Sequence, residues 1–187
     1  DLSRLKQYKV LEKKVVEQEK SFDEVDFLEK SNIRIAIQKK FDNQLLERVC
    51  DLGNRAHQLN YTKVELTLDG IKELLKCGAE CAAIECKDKF GDYGFIGFYA
   101  FNKKDNKLVH FFFSCRTLGM HIEQYIYQKL GFPSIDICEP VTVKLLSKSN
   151  INYIEETAPS SFERKETYSD NILIIGPCDL EAVDYFL

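Results

Sequence analysis

Tryptophan is absent from this 187-residue chain, methionine occurs once, as Met120, and histidine three times. The histidines, His57, His110 and His121, form no HxH or HxxxH spacing, and no CxxC pair is present. The common structural zinc patterns are therefore missing, and no metal is expected. Seven cysteines (Cys50, Cys77, Cys81, Cys86, Cys115, Cys138 and Cys178) make an odd number. In a chain of this length they argue for reduced, mostly buried thiols in a cytoplasmic protein rather than a disulfide framework. No stretch approaches the roughly 20 apolar residues of a membrane helix, and no signal-peptide pattern is visible. A surplus of positive charge is missing too: 26 Lys and Arg stand against 30 Asp and Glu, a net of −4. Neither a membrane nor a nucleic acid is an expected partner.

What remains is a soluble globular composition, 44% apolar and 30% charged, rich in Phe and Tyr. The charge is uneven. Residues 1–150 carry 24 basic and 22 acidic side chains, and residues 151–187 carry 2 and 8. The length suits one domain with a sizeable core and is short for two. Residue 1 opens inside a helix-like run and Leu187 closes inside another, so the chain is expected to be a piece of a longer protein.

Leu2, Leu5, Tyr8, Leu11, Val15 and Val16 recur at helical spacing and predict a helix over 2–19. Ser21 and Glu24 form a capping-box pattern for a short second helix. Together these predict a helical connecting arm over residues 1–30. A domain over 31–156 follows. Alternation predicts a strand at 33–37. Helices are expected from Asp42 to about His57 and from Thr67 to about Gly78, with Asn60, Tyr61 and Thr62 interrupting between them. Strands at 80–87, 95–101 and 107–114 are joined by Gly91-Asp92-Tyr93-Gly94 and by Lys103-Lys104-Asp105-Asn106. A helix from Met120 to about Leu130 comes next, then strand-like segments near 135–138, 141–146 and 151–155. This order predicts an α/β (α+β) domain with a mixed, mostly antiparallel sheet flanked by helices. Residues 157–170 read as a linker. Residues 171–187 read either as the start of a truncated further α/β unit or as a docked terminal strand and helix.

The junction over Phe113, Ser114, Cys115, Arg116, Thr117, Leu118, Gly119, Met120 and His121 carries phosphate-binding chemistry. A strand ends there, a loop with an arginine and a glycine follows, and a helix begins. Free N–H groups and the dipole at a helix N-terminus attract anions. Gly119 permits close backbone approach, and Arg116 suits phosphate pairing. The form Arg-x-x-Gly is that of the pyrophosphate loop of GNAT acetyltransferases, and it is equally the form of a plain tight turn. Cys115, near a helix start and an arginine, is a candidate nucleophile or a buried strand-end thiol. Gln58 and Asn60 either line a polar pocket or cap the preceding helix and shape the loop. Lys103, Lys104 and Lys107 form a solvated hairpin tip suited to an acidic partner.

Three stretches resemble one family, the FkbH-like proteins, in order and spacing. Arg55-Ala56-His57-Gln58-Leu59-Asn60-Tyr61-Thr62 is similar to the family's T-N-Q-F-N-L-T. Asp88-Lys89-Phe90-Gly91-Asp92-Tyr93-Gly94 is similar to D-R-F-G-D-x-G. The run from Ser114 to Glu123 is similar to S-C-R-V-L-G-R-G-V-E. The likeness covers roughly residues 1–140 and includes the arm.

The resemblance implies a GNAT-like acyl-CoA N-acyltransferase fold following a haloacid-dehalogenase-type phosphatase domain, whose Asp-x-Asp-x-Thr signature does not occur here. It implies loading of a glyceryl group onto an acyl carrier protein for methoxymalonyl-type extender units of polyketide biosynthesis. It further implies CoA, acyl-CoA or phosphopantetheine as the ligand of residues 113–121. The carrier protein and the phosphatase-type domain of the same parent chain would be the partners. Autonomous acyl transfer from acyl-CoA is the enzymatic alternative, with Glu85 as a candidate base and Tyr153 as a candidate acid beside Cys115. A non-catalytic structural or carrier-docking module is the third reading. His121 stands where the family has Gly, and the helix usual after the fifth strand of acetyltransferases has little room here.

Overall fold

The computed structural model describes residues 24–159 and, ahead of them, residues 9–11 and 14. Those four are helical and are what it describes of the helix expected over 2–19; the segment expected at 171–187 lies outside the described residues. In chain order the elements are α1 (Glu24–Glu29), β1 (Arg34–Gln38), α2 (Asn43–Arg55), β2 (Leu59–Asn60), α3 (Leu68–Lys76), β3 (Glu80–Lys87), β4 (Asp92–Asn102), β5 (Lys107–Phe113), a 3-10 turn (Cys115–Thr117), α4 (Ile122–Lys129), β6 (Ser134–Ile135) and β7 (Glu155–Thr157).

Local chemistry starts the two helices on one face. Asp42 Oδ1 accepts the Leu45 N–H at 2.7 Å, and Thr67 Oγ1 accepts the Gly70 N–H at 3.1 Å. Each side chain satisfies an N–H that the helix itself leaves unpaired. The sheet order is β2-β5-β4-β3-β1-β7, with β6 also on β5. The β1–β3, β3–β4, β4–β5 and β2–β5 pairs are antiparallel; β1–β7 and β5–β6 are parallel. A mixed, mostly antiparallel sheet flanked by helices is therefore the architecture.

Strand alternation divides the core between the two faces. Ala82, Ile84, Phe111 and Phe113 pack with Ile122 and Ile126 of α4 and with Phe27 and Leu28 of α1. Ala83, Phe98, Ala100 and Phe112 pack with Leu46 and Val49 of α2 and Ile71 of α3. The described part of the arm thus belongs to the core rather than merely leading to it. Lys14 is also buried, with its ammonium 5.9 Å from the centre of the Tyr93 ring.

Five local expectations change. Asn60, expected in an interruption over 60–62, joins Leu59 in β2 against Phe112 and Phe113. The helix expected from Met120 begins at Ile122, because His121 lies in the left-handed region (φ 58°) and cannot continue a helix. The strand expected at 135–138 is the two-residue β6, and 151–155 becomes the later β7. No strand forms over 141–146. Its alternation still delivers Val141, Val143 and Leu145 to the core. The backbone is held instead by Thr142 N–H donating to the Gln58 carbonyl at 2.9 Å and Leu146 N–H donating to Gln124 Oε1 at 2.8 Å.

Candidate functional site

The 113–123 junction is tied to the sheet before it turns. Ser114 N–H donates to the Ile96 carbonyl at 2.7 Å, and Ser114 Oγ accepts Arg116 N–H and Nε–H at 3.3 and 3.0 Å. Thr117 closes the turn by donating its N–H and hydroxyl to the Ser114 carbonyl, at 3.2 and 3.0 Å. Phe113, Ser114, Thr117 and Met120 are buried; Cys115 and Leu118 are exposed. Gly119 has φ +79°, a conformation an L side chain adopts only under strain, and a Cβ there would meet nothing within 4 Å.

Arg116 spans the junction. Nη1 donates to the Tyr93 carbonyl at 3.0 Å and Nη2 to the Phe95 carbonyl at 2.9 Å. Its guanidinium is thus an internal staple between the loop and the start of β4. Asp88 organises the preceding turn: Oδ1 accepts the N–H groups of Phe90 and Gly91 at 2.8 and 3.1 Å, and Oδ2 accepts the Tyr93 hydroxyl at 2.8 Å.

His121 sits at the entry to α4 and gives the helix no side-chain cap. Its Nδ1 lies 2.7 Å from the Tyr153 hydroxyl instead. Gln124 and Gln128 hold the returning chain against α4 through Leu146, Ser149 and Ile151. No side chain caps this end of α4, and Ile122, Glu123 and Gln124 of its first turn are buried.

Asn60 caps and shapes. Its Nδ2 donates to the Gly53 carbonyl at 3.2 Å and its Oδ1 accepts Lys63 N–H at 2.8 Å. The Gln58 side chain is exposed, while its carbonyl takes the Thr142 N–H. Glu85, half-buried, lies at a register shift of the β3–β4 ladder, opposite Phe95.

Two residues of the site carry a signal that the charge and spacing patterns pass over. Glu123 is fully buried, and neither carboxylate oxygen has a hydrogen-bond partner among the described residues. Burial raises this carboxyl from 4.5 to about 7, with its own peptide N–H acting in the opposite sense. The Tyr61 hydroxyl is likewise buried and unpartnered among the described residues. Burial, and then the charge of Glu123, push its ionisation up. Glu123 precedes the buried Ile126 and Tyr127 by one helical turn, which is the sequence mark of a carboxyl on an apolar face.

A separate concavity of ≈ 460 Å³ lies at the other end of the sheet, between Ile37, Tyr99, Phe101 and Leu130. At its rim Glu80 accepts Lys39, Lys103 and Tyr99 at 2.7, 2.7 and 3.0 Å. Burial alone would raise Glu80; the hydrogen bonds from Lys103, Lys39 and Tyr99 outweigh it and hold the carboxyl near 2. Among the described residues no group of three His, Cys, Asp or Glu is placed to hold a metal ion, and no helix is long and apolar enough to cross a membrane. No protein-family profile, curated protein or solved structure matches this chain.

Proposed function

We propose that the chain is a GNAT-like domain of an FkbH-like biosynthetic protein. It would bind CoA or the phosphopantetheine arm of an acyl carrier protein in acyl or glyceryl transfer. The observation that supports this reading is convergence. Residues 55–62, 88–94 and 114–123 are far apart in sequence, yet β2 pairs with the end of β5, Arg116 reaches Tyr93, and Ser114 reaches β4. The three stretches that carry the resemblance thus meet at one end of the sheet, beside the uncapped first turn of α4. A phosphodiester or pyrophosphate would be held there by backbone amides, with Gly119 allowing close approach. The test is titration with CoA and with pantetheine, read by melting temperature and by amide NMR at 114–121. A response localised to these amides is expected, and no response to either compound sinks the proposal.

One observation favours a non-catalytic carrier-docking module instead. The outer edge of β5 from Phe111 to Phe113, where an extended arm would add as a strand, is already covered by residues 59–61. This reading predicts binding of an acyl carrier protein with no release of CoA from acyl-CoA in a broad acceptor screen.

A further inference from the structure

We propose that the concavity at the end of the sheet remote from the 113–123 junction binds a small organic carboxylate with an apolar body. Its floor is drawn from three elements: Ile37 of β1, Tyr99 and Phe101 of β4, and Leu130, which follows α4. Tyr99 and Phe101 are buried, and Ile37 and Leu130 pack against the same core. The floor is therefore apolar and fixed by packing. The volume of ≈ 460 Å³ lies within the roughly 300–1,000 Å³ of small-molecule sites.

The charges around the cavity decide the class of ligand. Lys39 and Lys103 donate to Glu80 Oε1 and Oε2, both at 2.7 Å, and Lys129 donates to Glu156 Oε1 at 2.6 Å. The hydroxyls of Tyr99 and Tyr125 donate to Glu80 Oε1 and Glu156 Oε1 at 3.0 and 2.8 Å. Burial pushes the ionisation of Tyr99 up, so it adds no charge. Three ammoniums thus stand against two carboxylates, one positive charge in excess. Donors are in excess as well. An ammonium carries three N–H groups, and each of these lysines makes one hydrogen bond among the described residues. The two oxygens of Glu80, by contrast, already accept three bonds. The negative end of α4 nearby is closed by its own chain: Leu130, Gly131 and Phe132 donate their N–H groups to the Ile126, Gln128 and Tyr127 carbonyls, all at 3.0 Å. The lysine side chains are 58%, 64% and 44% exposed, so their heads can turn to a ligand without unpacking the floor. A singly charged carboxylate matches the excess charge, a phosphate dianion exceeds it, and an ammonium would add to it.

The test is titration of the 187-residue chain with hexanoate, hexanol and hexylamine at pH 7, read by NMR at the side chains of Tyr99, Phe101 and Leu130. These probes share one apolar body and differ in the head group. Hexanoate should give saturable shifts at the three residues, hexanol should bind more weakly, and hexylammonium should bind most weakly. Lys39→Gln and Lys129→Gln should each weaken hexanoate by about fivefold, the scale of one part-exposed ion pair. Lys72→Gln, on α3 and the opposite face of the sheet, should leave it unchanged. Binding of hexanol as tight as that of hexanoate overturns the proposal, as does a preference for hexylammonium. Absence of saturable shifts at the three residues, or full hexanoate affinity in both lysine variants, overturns it too. Should a variant fail to fold, the ranking of the three probes on the wild type decides. No arm contains CoA or pantetheine and none reads residues 114–121, so this site and the proposed function stand or fall separately.

Discussion

Replacing Arg116 by Met separates two roles that one arginine in this loop can have. The substitution keeps the apolar stem and removes three side-chain hydrogen bonds, to Ser114 Oγ, the Tyr93 carbonyl and the Phe95 carbonyl. Hydrogen bonds from a charged group contribute about 1.5–3 kcal/mol each. Arg116 is half-buried, so water can replace part of what is lost, and ~1 kcal/mol per bond is the fitting figure. The sum, about 3 kcal/mol, corresponds to a fall of roughly 6–12 °C in melting temperature for a chain of this size. The assay is thermal unfolding of wild type, Arg116→Met and Arg116→Lys, each with and without CoA. Lysine can restore one of the three contacts but not the two-pronged span, so its melting temperature should fall between the others. A change under about 2 °C in Arg116→Met, accompanied by complete loss of a CoA response, would refute the staple and return Arg116 to the role of a phosphate ligand.

Three further outcomes are expected. Gly97→Ala places a Cβ 2.3 Å from the Phe113 ring across the β4–β5 pair, so overpacking should lower the denaturation midpoint by an amount equivalent to about 2 kcal/mol or more. The raised Glu123 carboxyl means the folded chain binds more protons than the unfolded chain between 4.5 and about 7. Its contribution is fully present below the unfolded value and is lost as pH rises through the folded one, reaching about 3 kcal/mol of lost stability above pH 7. Urea titrations should show that loss in the wild type and its absence in Glu123→Gln. For His121 and Tyr153, a double-mutant cycle on His121→Gly and Tyr153→Phe should give a coupling of about 1 kcal/mol. His121→Gly alone should be nearly neutral, because relief of the left-handed backbone offsets the lost contact.

Legibility from sequence followed the range of the interactions. The starts of α2 and α3 rest on Asp42 and Thr67 bonding three residues onward, and such information sits inside a short window. The β3, β4 and β5 ladder was also readable, because alternation and turn residues act between neighbours. By contrast, β2 is two residues long and exists because Phe112 and Phe113, more than fifty positions later, offer an edge. Arg116 shows the same limit within the site. Its place in a strand–loop–helix junction could be read, but its two carbonyl acceptors lie 21 and 23 residues earlier and come within reach only once β4 and β5 pair. At 141–146 an apolar alternation that normally marks a strand places its side chains in the core without one.

Three residues of the junction, Arg116, His121 and Glu123, constrain any function assigned to it. Arg116 binds the loop to β4, His121 binds the start of α4 to the chain carrying Tyr153, and Glu123 is buried with no hydrogen-bond partner for its carboxylate oxygens among the described residues. Two of these are satisfied internally and resist rearrangement. Glu123 is the exception, since its ionisation opposes the packing around it. A ligand phosphate at the first turn of α4 would compete with the Glu123 carboxylate for the same amide dipoles. At an effective dielectric of about 20, like charges roughly 5 Å apart repel by ~3 kcal/mol. An anion bound at that turn would therefore favour protonation of Glu123, and protonation would favour the anion in equal measure.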